Sequence, residues 1–413
     1  MDSSSAATPL RLTHYVSLEE WGGLERQFAA FAERAARRHG ARQSVVVCGG
    51  RVHRRHRRLL PNFDDWRYED RLLGLRIGNQ PAPVRRARYR WLGRHMTPDV
   101  ALLWHGLESQ ARVVDALGPR RCLHWEHGSA WHSSNEHATR AVLEHLPAVL
   151  CNTHAAKRML ELKWGYEGRV RVCHDGVRVS HQPRDFKYLP HDRPLHIGLV
   201  GALIPARAPS VALHTLAALK ARHIDATLSI AGDGPLKPAL EEQARALGIE
   251  SAVHFLGTVE DMALFYSDID ILLNPSIHEP LPVTAAQAGS FGCPVVCTAV
   301  DGLPEVVADG HTGLCVAPQE DLARYQELGG VSEGLPSAVY GPQADCLQTP
   351  AICEPEAFAD AIESIVQDAE RYARMSHAGI ERAGSQFEFN RQVDRAMQFL
   401  GEYHERGTFE RAA

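Results

Sequence analysis

The part of this sequence best suited to chemistry is residues 278–307, HEPLPVTAAQAGSFGCPVVCTAVDGLPEVV. It follows a strand-like run, IDILLNPS, and places the carboxylate of Glu279 in a proline-stiffened loop. Helical spacing begins near Val283, so Leu281 and Pro282 lead straight into a helix N-terminus. The unpaired N–H groups of a first helical turn and the positive end of its dipole suit a diphosphate. Glu279 beside that anion is placed to accept hydrogen bonds from ligand hydroxyls. Gln287, eight residues on and about two helical turns away, is placed to meet a ribose.

Such a site needs elements to hold it, and the chain alternates short apolar strands with helix-sized segments. RLTHYV, SVVVCGG, DVALLWHG, RCLHWEHG, AVLCN and VRVCHDGV fill the first half; LHIGLVG, ATLSIAG, VHFLG, IDILLNPS, CPVVCT and GLCVAP fill the second. Alternation of this kind builds parallel sheets covered by helices, an α/β class. At 413 residues, two cores are expected. The boundaries read as an N-terminal domain over 1–178, a polar linker over 179–194, and a second domain over 195–385. A final amphipathic helix spans about 386–405, and the turn-rich stretch 319–354, without periodicity, reads as an insertion or long loop. Ligands of open α/β sheets bind outside the carboxyl ends of the strands, so the active site is expected between the two domains.

Composition narrows the class. Net charge is −5, which argues against general nucleic-acid binding. Two runs nevertheless carry five arginines each, residues 51–58 and 84–94; they read as solvated faces or as patches for an anionic acceptor or membrane surface. Nine cysteines without a CxxC pair read as reduced, mostly buried thiols of a cytoplasmic protein. No apolar run approaches the roughly 20 residues of a membrane span, and no secretion signal is read at the N-terminus. His127, His132 and His137 recur every five residues, which does not align them on a helix face, so no metal site is expected. No GxGxxG follows the first strand, which disfavours a dinucleotide enzyme.

The 278–307 stretch resembles the donor site of the retaining GT-B glycosyltransferases, family 4 (glycosyl transferases group 1), in which two glutamates separated by seven residues flank a helix start. Glu279 matches the first glutamate, and Gln287 stands where the second belongs. Trp21-Gly22-Gly23-Leu24-Glu25 resembles the family's N-terminal glycine loop, and Trp125-Glu126-His127-Gly128 its histidine loop. Ala231 to Leu236, with Gly234, resembles the G-x-G-P turn. The family's G-R-L-x-x-x-K-G loop appears as Gly201-Ala202-Leu203-Ile204-Pro205-Ala206-Arg207-Ala208, with alanine for its arginine and Arg207 for its lysine.

The resemblance implies two Rossmann-like domains facing across a cleft, with the C-terminal helix crossing back onto the first. It implies transfer of a sugar, with retention, from a UDP- or GDP-sugar to a glycan, lipid-linked or small-molecule hydroxyl, without metal or cofactor and in bacterial polysaccharide, lipopolysaccharide or glycoconjugate synthesis. It assigns Glu279 and His127 to catalysis; Arg207, Gly201, Gln287, Leu281, Pro282, Val283 and Gly234 to the donor; and Gly22 and Gly23 to an acceptor or diphosphate loop. A position on the inner face of a membrane fits the arginine runs. Plainer roles stay open: Glu279 as a helix cap, Arg207 as a solvent-facing residue, Gln287 as a satisfied amide, His127 as a structural ring, Gly22–Gly23 as a helix-entry turn. So do two other functions, a GT-B pseudoenzyme that regulates a partner transferase and a sugar-nucleotide epimerase.

Overall fold

The computed structural model describes residues 9–72, 75–76, 81–133, 135–178 and 186–410. Contacts divide the chain into two units, one of residues 1–175 with 390–413, the other of residues 176–389. The first seven residues of the linker read over 179–194 lie outside the described residues. From Lys187 onward that segment is fastened to the second unit, where the Lys187 ammonium donates to the carbonyls of Tyr266 and Ser267 at 2.8 Å each.

The first unit is a seven-stranded parallel sheet. Its order is Asp65–Tyr68, Arg42–Val52, Arg11–Leu18, Val100–Leu103, Cys122–Glu126, Ala148–Cys151, Arg169–Val172. The order reverses direction at Arg11–Leu18, so the crevice at the carboxyl end of that strand is the natural ligand position. Helix Gly23–His39 starts there and buries Phe28 and Phe31 against the sheet beside Trp104 and Trp125. The closing helix Phe389–Arg406 belongs to this unit from Asn390 on. The guanidinium of Arg38 binds Asp394 at 2.6 Å, and the Tyr403 hydroxyl donates to the Cys122 carbonyl at 2.7 Å.

The second unit repeats the plan with six parallel strands in the order Val253–Gly257, Ala226–Ala231, Leu195–Val200, Ile271–Asn274, Val295–Thr298, Gly313–Val316. Successive side chains of a strand alternate between faces. Ile271 and Leu273 therefore enter one apolar core with Leu213, Leu216, Phe358 and Ile362, while Leu272 enters the other with Tyr266, Ala285 and Phe291. The order reverses between Leu195–Val200 and Ile271–Asn274, and the loops leaving those two strands are 201–208 and 275–282.

The stretch 319–354, read as an insertion or long loop, contains short elements of its own. It forms helix Leu322–Glu327, capped by the Asp321 carboxylate, and an antiparallel hairpin of Val339–Gly341 with Cys346–Gln348. Elements of three to six residues are too short for a periodicity to show. All nine cysteines are free, and Cys346 is exposed on the hairpin.

Candidate functional site

The two loops at the reversal point of the second sheet are bonded to each other. The amides of Ile277 and His278 both donate to the Ala206 carbonyl, at 2.9 and 3.3 Å. That places the short 3-10 turn Pro205–Arg207 against the loop carrying Glu279. One guanidinium nitrogen of Arg207, Nη1, pairs with the Glu279 carboxylate and donates to the His278 carbonyl at 3.2 Å. The Glu279 side chain is only 3% exposed, so an unpaired charge there would cost several kcal/mol of desolvation. Each residue thus satisfies the other, and the arginine's Nη2 and Nε have no protein acceptor among the described residues. The sequence assigned these two residues separate tasks; the structure makes them an ion pair.

Asp301 holds this loop in place, a role the sequence reading missed. Its carboxylate is fully buried and accepts from His278 Nδ1 at 2.7 Å, the Glu279 amide at 3.0 Å and the Tyr340 amide at 2.8 Å. The Asp301 amide returns a bond to the Tyr340 carbonyl at 2.9 Å. The residue sits at φ +48°, a left-handed conformation that side chains other than glycine adopt at a cost. Tyr340 lies in the hairpin of the 319–354 stretch, and Tyr325 from the same stretch donates its hydroxyl to the Pro205 carbonyl at 3.2 Å. Both site loops are therefore braced from one segment. The only local sign of the Asp301 role in the sequence is the Asp-Gly turn pair at 301–302.

Helix Val283–Ser290 starts as expected, with Pro282 at its cap and the Val283 amide turned back to the Leu281 carbonyl at 2.8 Å. Its following first-turn amides, Thr284 and Ala285, have no acceptor within the helix. Gly289 on this helix faces Gly379 of helix Ala369–Gln386, where an added Cβ at 379 would lie 3.2 Å from the Gly289 carbonyl oxygen. Gln287 is partly buried, and its Oε1 accepts from the Tyr266 hydroxyl at 3.1 Å. Gly234 packs its Cα against loop 201–208, since a Cβ there would stand 2.5 Å from the Leu203 carbonyl oxygen. Gly201 lies beside the Arg207 side chain, 3.8 Å from where its Cβ would be, and Ala202 is exposed.

In the first unit, Gly22 caps helix Gly23–His39, and the Glu25 carboxylate reaches back to the Gly22 amide at 3.0 Å. His105 Nε2 lies 3.5 Å from that carboxylate, and Glu25 stays below the usual carboxylate range: burial raises it, but His105 and the backbone amides outweigh burial. The His127 side chain is 2% exposed. Its ring stacks on Trp104 with centroids 5.2 Å apart, and Nδ1–H donates to the Trp125 carbonyl at 3.0 Å. Its Nε2 has no hydrogen-bond partner, the nearest carboxylate being Asp175 at 3.7 Å. Next to it, buried Glu126 is held down to about 2: burial pushes it up, but His124, Ser129 and the Ala130 amide more than offset that. The sequence-assigned residues thus fall into two groups. Arg207, Gly201, Gly234, Glu279, Leu281, Pro282, Val283 and Gln287 belong to the second unit, and Gly22, Gly23 and His127 to the first.

Two parallel-sheet units of this topology define the GT-B class of glycosyltransferases, and comparison bears that out. Residues 194–328 match the family model for glycosyl transferases group 1. Along its length the chain is similar to a lipopolysaccharide core biosynthesis glycosyltransferase, LpsE, of Rhizobium meliloti, 26% identical over 95% of this chain and 99% of that one. A D-inositol 3-phosphate glycosyltransferase of Corynebacterium urealyticum is 34% identical over 36% of this chain and 38% of its own length. Among solved structures, Anabaena HepE in complex with UDP and glucose superposes with a TM-score of 0.68 at 17% identity, covering 95% of this chain and 99% of that one. The chain is a glycosyltransferase of GT-B fold, and the group 1 match lies within residues 194–328 of its second unit.

Proposed function

We propose that this chain transfers a sugar, with retention of anomeric configuration, from a UDP- or GDP-sugar to a hydroxyl acceptor of a bacterial lipopolysaccharide core, polysaccharide or related glycoconjugate. The observation that carries the reading is the Arg207–Glu279 pair at the mouth of helix Val283–Ser290. A cation, a carboxylate and, four residues on from Glu279, a helix N-terminus occur there, which is what a nucleoside diphosphate joined to a polyol needs. The LpsE relative is named for lipopolysaccharide core synthesis, and HepE was solved with UDP and glucose, which supports the substrate class.

In this scheme the bond from the sugar C1 to the diphosphate oxygen breaks, and its electron pair leaves with the diphosphate. The new bond joins C1 to the acceptor oxygen, whose proton passes to the departing phosphate. Arg207 and the helix amides take up the charge that develops on the leaving group, a preorganised electrostatic device that requires no metal. Donor binding draws Arg207 from Glu279 to the phosphates and frees the carboxylate for the sugar hydroxyls. Gln287 exchanges its Tyr266 contact for a ribose hydroxyl, and His127 positions sugar or acceptor through its unpartnered Nε2. Among the described residues no helix is long and apolar enough to cross a membrane. We place the enzyme at the cytoplasmic membrane face, with the exposed arginines of residues 51–58 as contact. Unchanged binding to anionic vesicles after replacement of Arg54, Arg55, Arg57 and Arg58 would count against that contact.

The test is turnover with UDP- and GDP-sugars and oligosaccharide acceptors, with the anomeric proton of the product read by NMR. Retention in an acceptor-dependent product supports the proposal. An inverted product refutes retention, an acceptor-independent sugar isomer means an epimerase, and nucleotide binding without turnover means a pseudoenzyme.

A further inference from the structure

The first unit contains a cavity of about 750 Å³ that lies away from the glycine and histidine loops. Five arginines line it, Arg11, Arg90, Arg94, Arg120 and Arg121, against one carboxylate, Asp99. Asp99 is already taken: Arg11 binds it through Nη2 at 2.7 Å and through Nε at 3.2 Å. The other four arginines are exposed and have no carboxylate partner among the described residues. Arg11 opens strand Arg11–Leu18, Asp99 precedes strand Val100–Leu103, and Arg121 precedes strand Cys122–Glu126. The cavity therefore sits at the amino ends of the strands, whereas Gly22–Gly23 and His127 follow their carboxyl ends.

A plainer role for these arginines is to neutralise helix termini. Helices Ala82–Met96 and Leu107–Leu117 both end at the cavity, through Gly93, Thr97 and Leu117. Each helix end is equivalent to about half a negative charge. Two ends offset about one guanidinium, which leaves most of the positive charge unbalanced. A second groove of about 620 Å³ shares Arg90 and Arg94 and runs along the same helix to Pro83, Arg86 and Trp91. Trp91 is 44% exposed there, with the Arg88 guanidinium 4.7 Å from its ring centroid and the His95 ring stacked on it at 4.8 Å. The cluster combines several planar cations with a half-exposed indole beside them. Guanidinium forks match phosphate oxygens two at a time, and a single carboxylate could engage only one or two of the four.

We propose that this cavity is a second anion site, which binds a phosphomonoester or pyrophosphate group and lays the rest of the ligand along Trp91. It is separate from the donor site, and the proposal does not depend on the donor reading. The phosphate could belong to a soluble molecule or to a lipid headgroup, and the test distinguishes them.

Inorganic pyrophosphate is titrated calorimetrically into the full-length protein carrying Arg207→Gln, so that the candidate donor site does not compete. Residual binding is expected, falling about tenfold or more when Arg94→Gln and Arg120→Gln are added, and weakening at high salt. A second pair, Arg90→Gln with Arg121→Gln, should act the same way, with thermal unfolding confirming that each variant folds. Sedimentation with phosphatidic acid and phosphatidylcholine vesicles then assigns the source. Arginine-dependent binding to the first alone indicates a lipid headgroup, and pyrophosphate binding without vesicle binding indicates a soluble ligand. Absence of pyrophosphate binding in the Arg207→Gln protein, or equal affinity after either arginine pair is removed, overturns the proposal.

Discussion

Replacing Asp301 tests how the site loop is held. Its carboxylate receives three donors in a fully buried position, two on Oδ2 and one on Oδ1. Asp301→Ala removes the acceptor of the His278 ring N–H and of the Glu279 and Tyr340 amides. A buried donor left unpaired costs about 1–3 kcal/mol, so the loss should be about 3 kcal/mol or more. For a unit of about 200 residues, each kcal/mol lowers Tm by about 2–4 °C, which gives a fall of roughly 6–12 °C. Asp301→Asn keeps one accepting oxygen for His278 and Glu279 but turns an NH2 toward the Tyr340 amide. It should cost about 1–2 kcal/mol. Asp301→Gly loses the same bonds as alanine but relieves the positive φ, so it should be about 1 kcal/mol less damaging than alanine. Thermal unfolding of the three variants, with donor KM measured beside it, reads both effects. If Asp301→Ala unfolds within about 1 °C of wild type with unchanged donor KM, the bracing argument is wrong.

Three further outcomes follow from other contacts. Glu279→Gln removes the charge that competes for Arg207, so UDP or GDP affinity should hold or rise while turnover falls roughly 10–150-fold; parallel calorimetry and kinetics would show it, and weakened nucleotide binding would contradict it. Gly379→Leu forces a side chain between helices Val283–Ser290 and Ala369–Gln386, and should cost about 1–3 kcal/mol in denaturant unfolding and raise donor KM. His14 is fully buried, and burial lowers it to about 4 against the opposing Gln43 bond. Because the folded state resists protonating it, its contribution is complete above about pH 6.5 and is lost as pH falls through about 4, amounting to about 3 kcal/mol. Unfolding curves across that window should flatten in His14→Phe, and an equal slope would refute the assignment.

Most sheet strands were legible because each is a short apolar run bounded by turn residues, and both sheets follow from their alternation with helices; the edge strand Asp65–Tyr68, a polar DWRY run, carries no such signal and was not read. Helix Val283–Ser290 and the loop carrying Glu279 were legible for the same local reason, a strand followed by prolines and then helical spacing. What could not be read locally are the contacts between distant residues. Asp301 reaches Glu279 across 22 positions and Tyr340 across 39, and neither separation leaves a periodic trace. The hairpin and helix of 319–354 were missed because each is too short to establish a pattern. The Arg207–Glu279 pair and the Tyr266–Gln287 bond depend on which strands become neighbours in the sheet, which composition and spacing do not state.

The central claim is that Arg207 and the loop of Glu279 form a nucleotide-sugar site. Calorimetric titration of wild type and Arg207→Gln with UDP and with GDP tests it most directly. The account predicts that one nucleotide binds wild type in the micromolar range and that Arg207→Gln weakens it about tenfold or more, the worth of one charge-assisted contact. Failure of both nucleotides to bind, or equal binding by the variant, would contradict it.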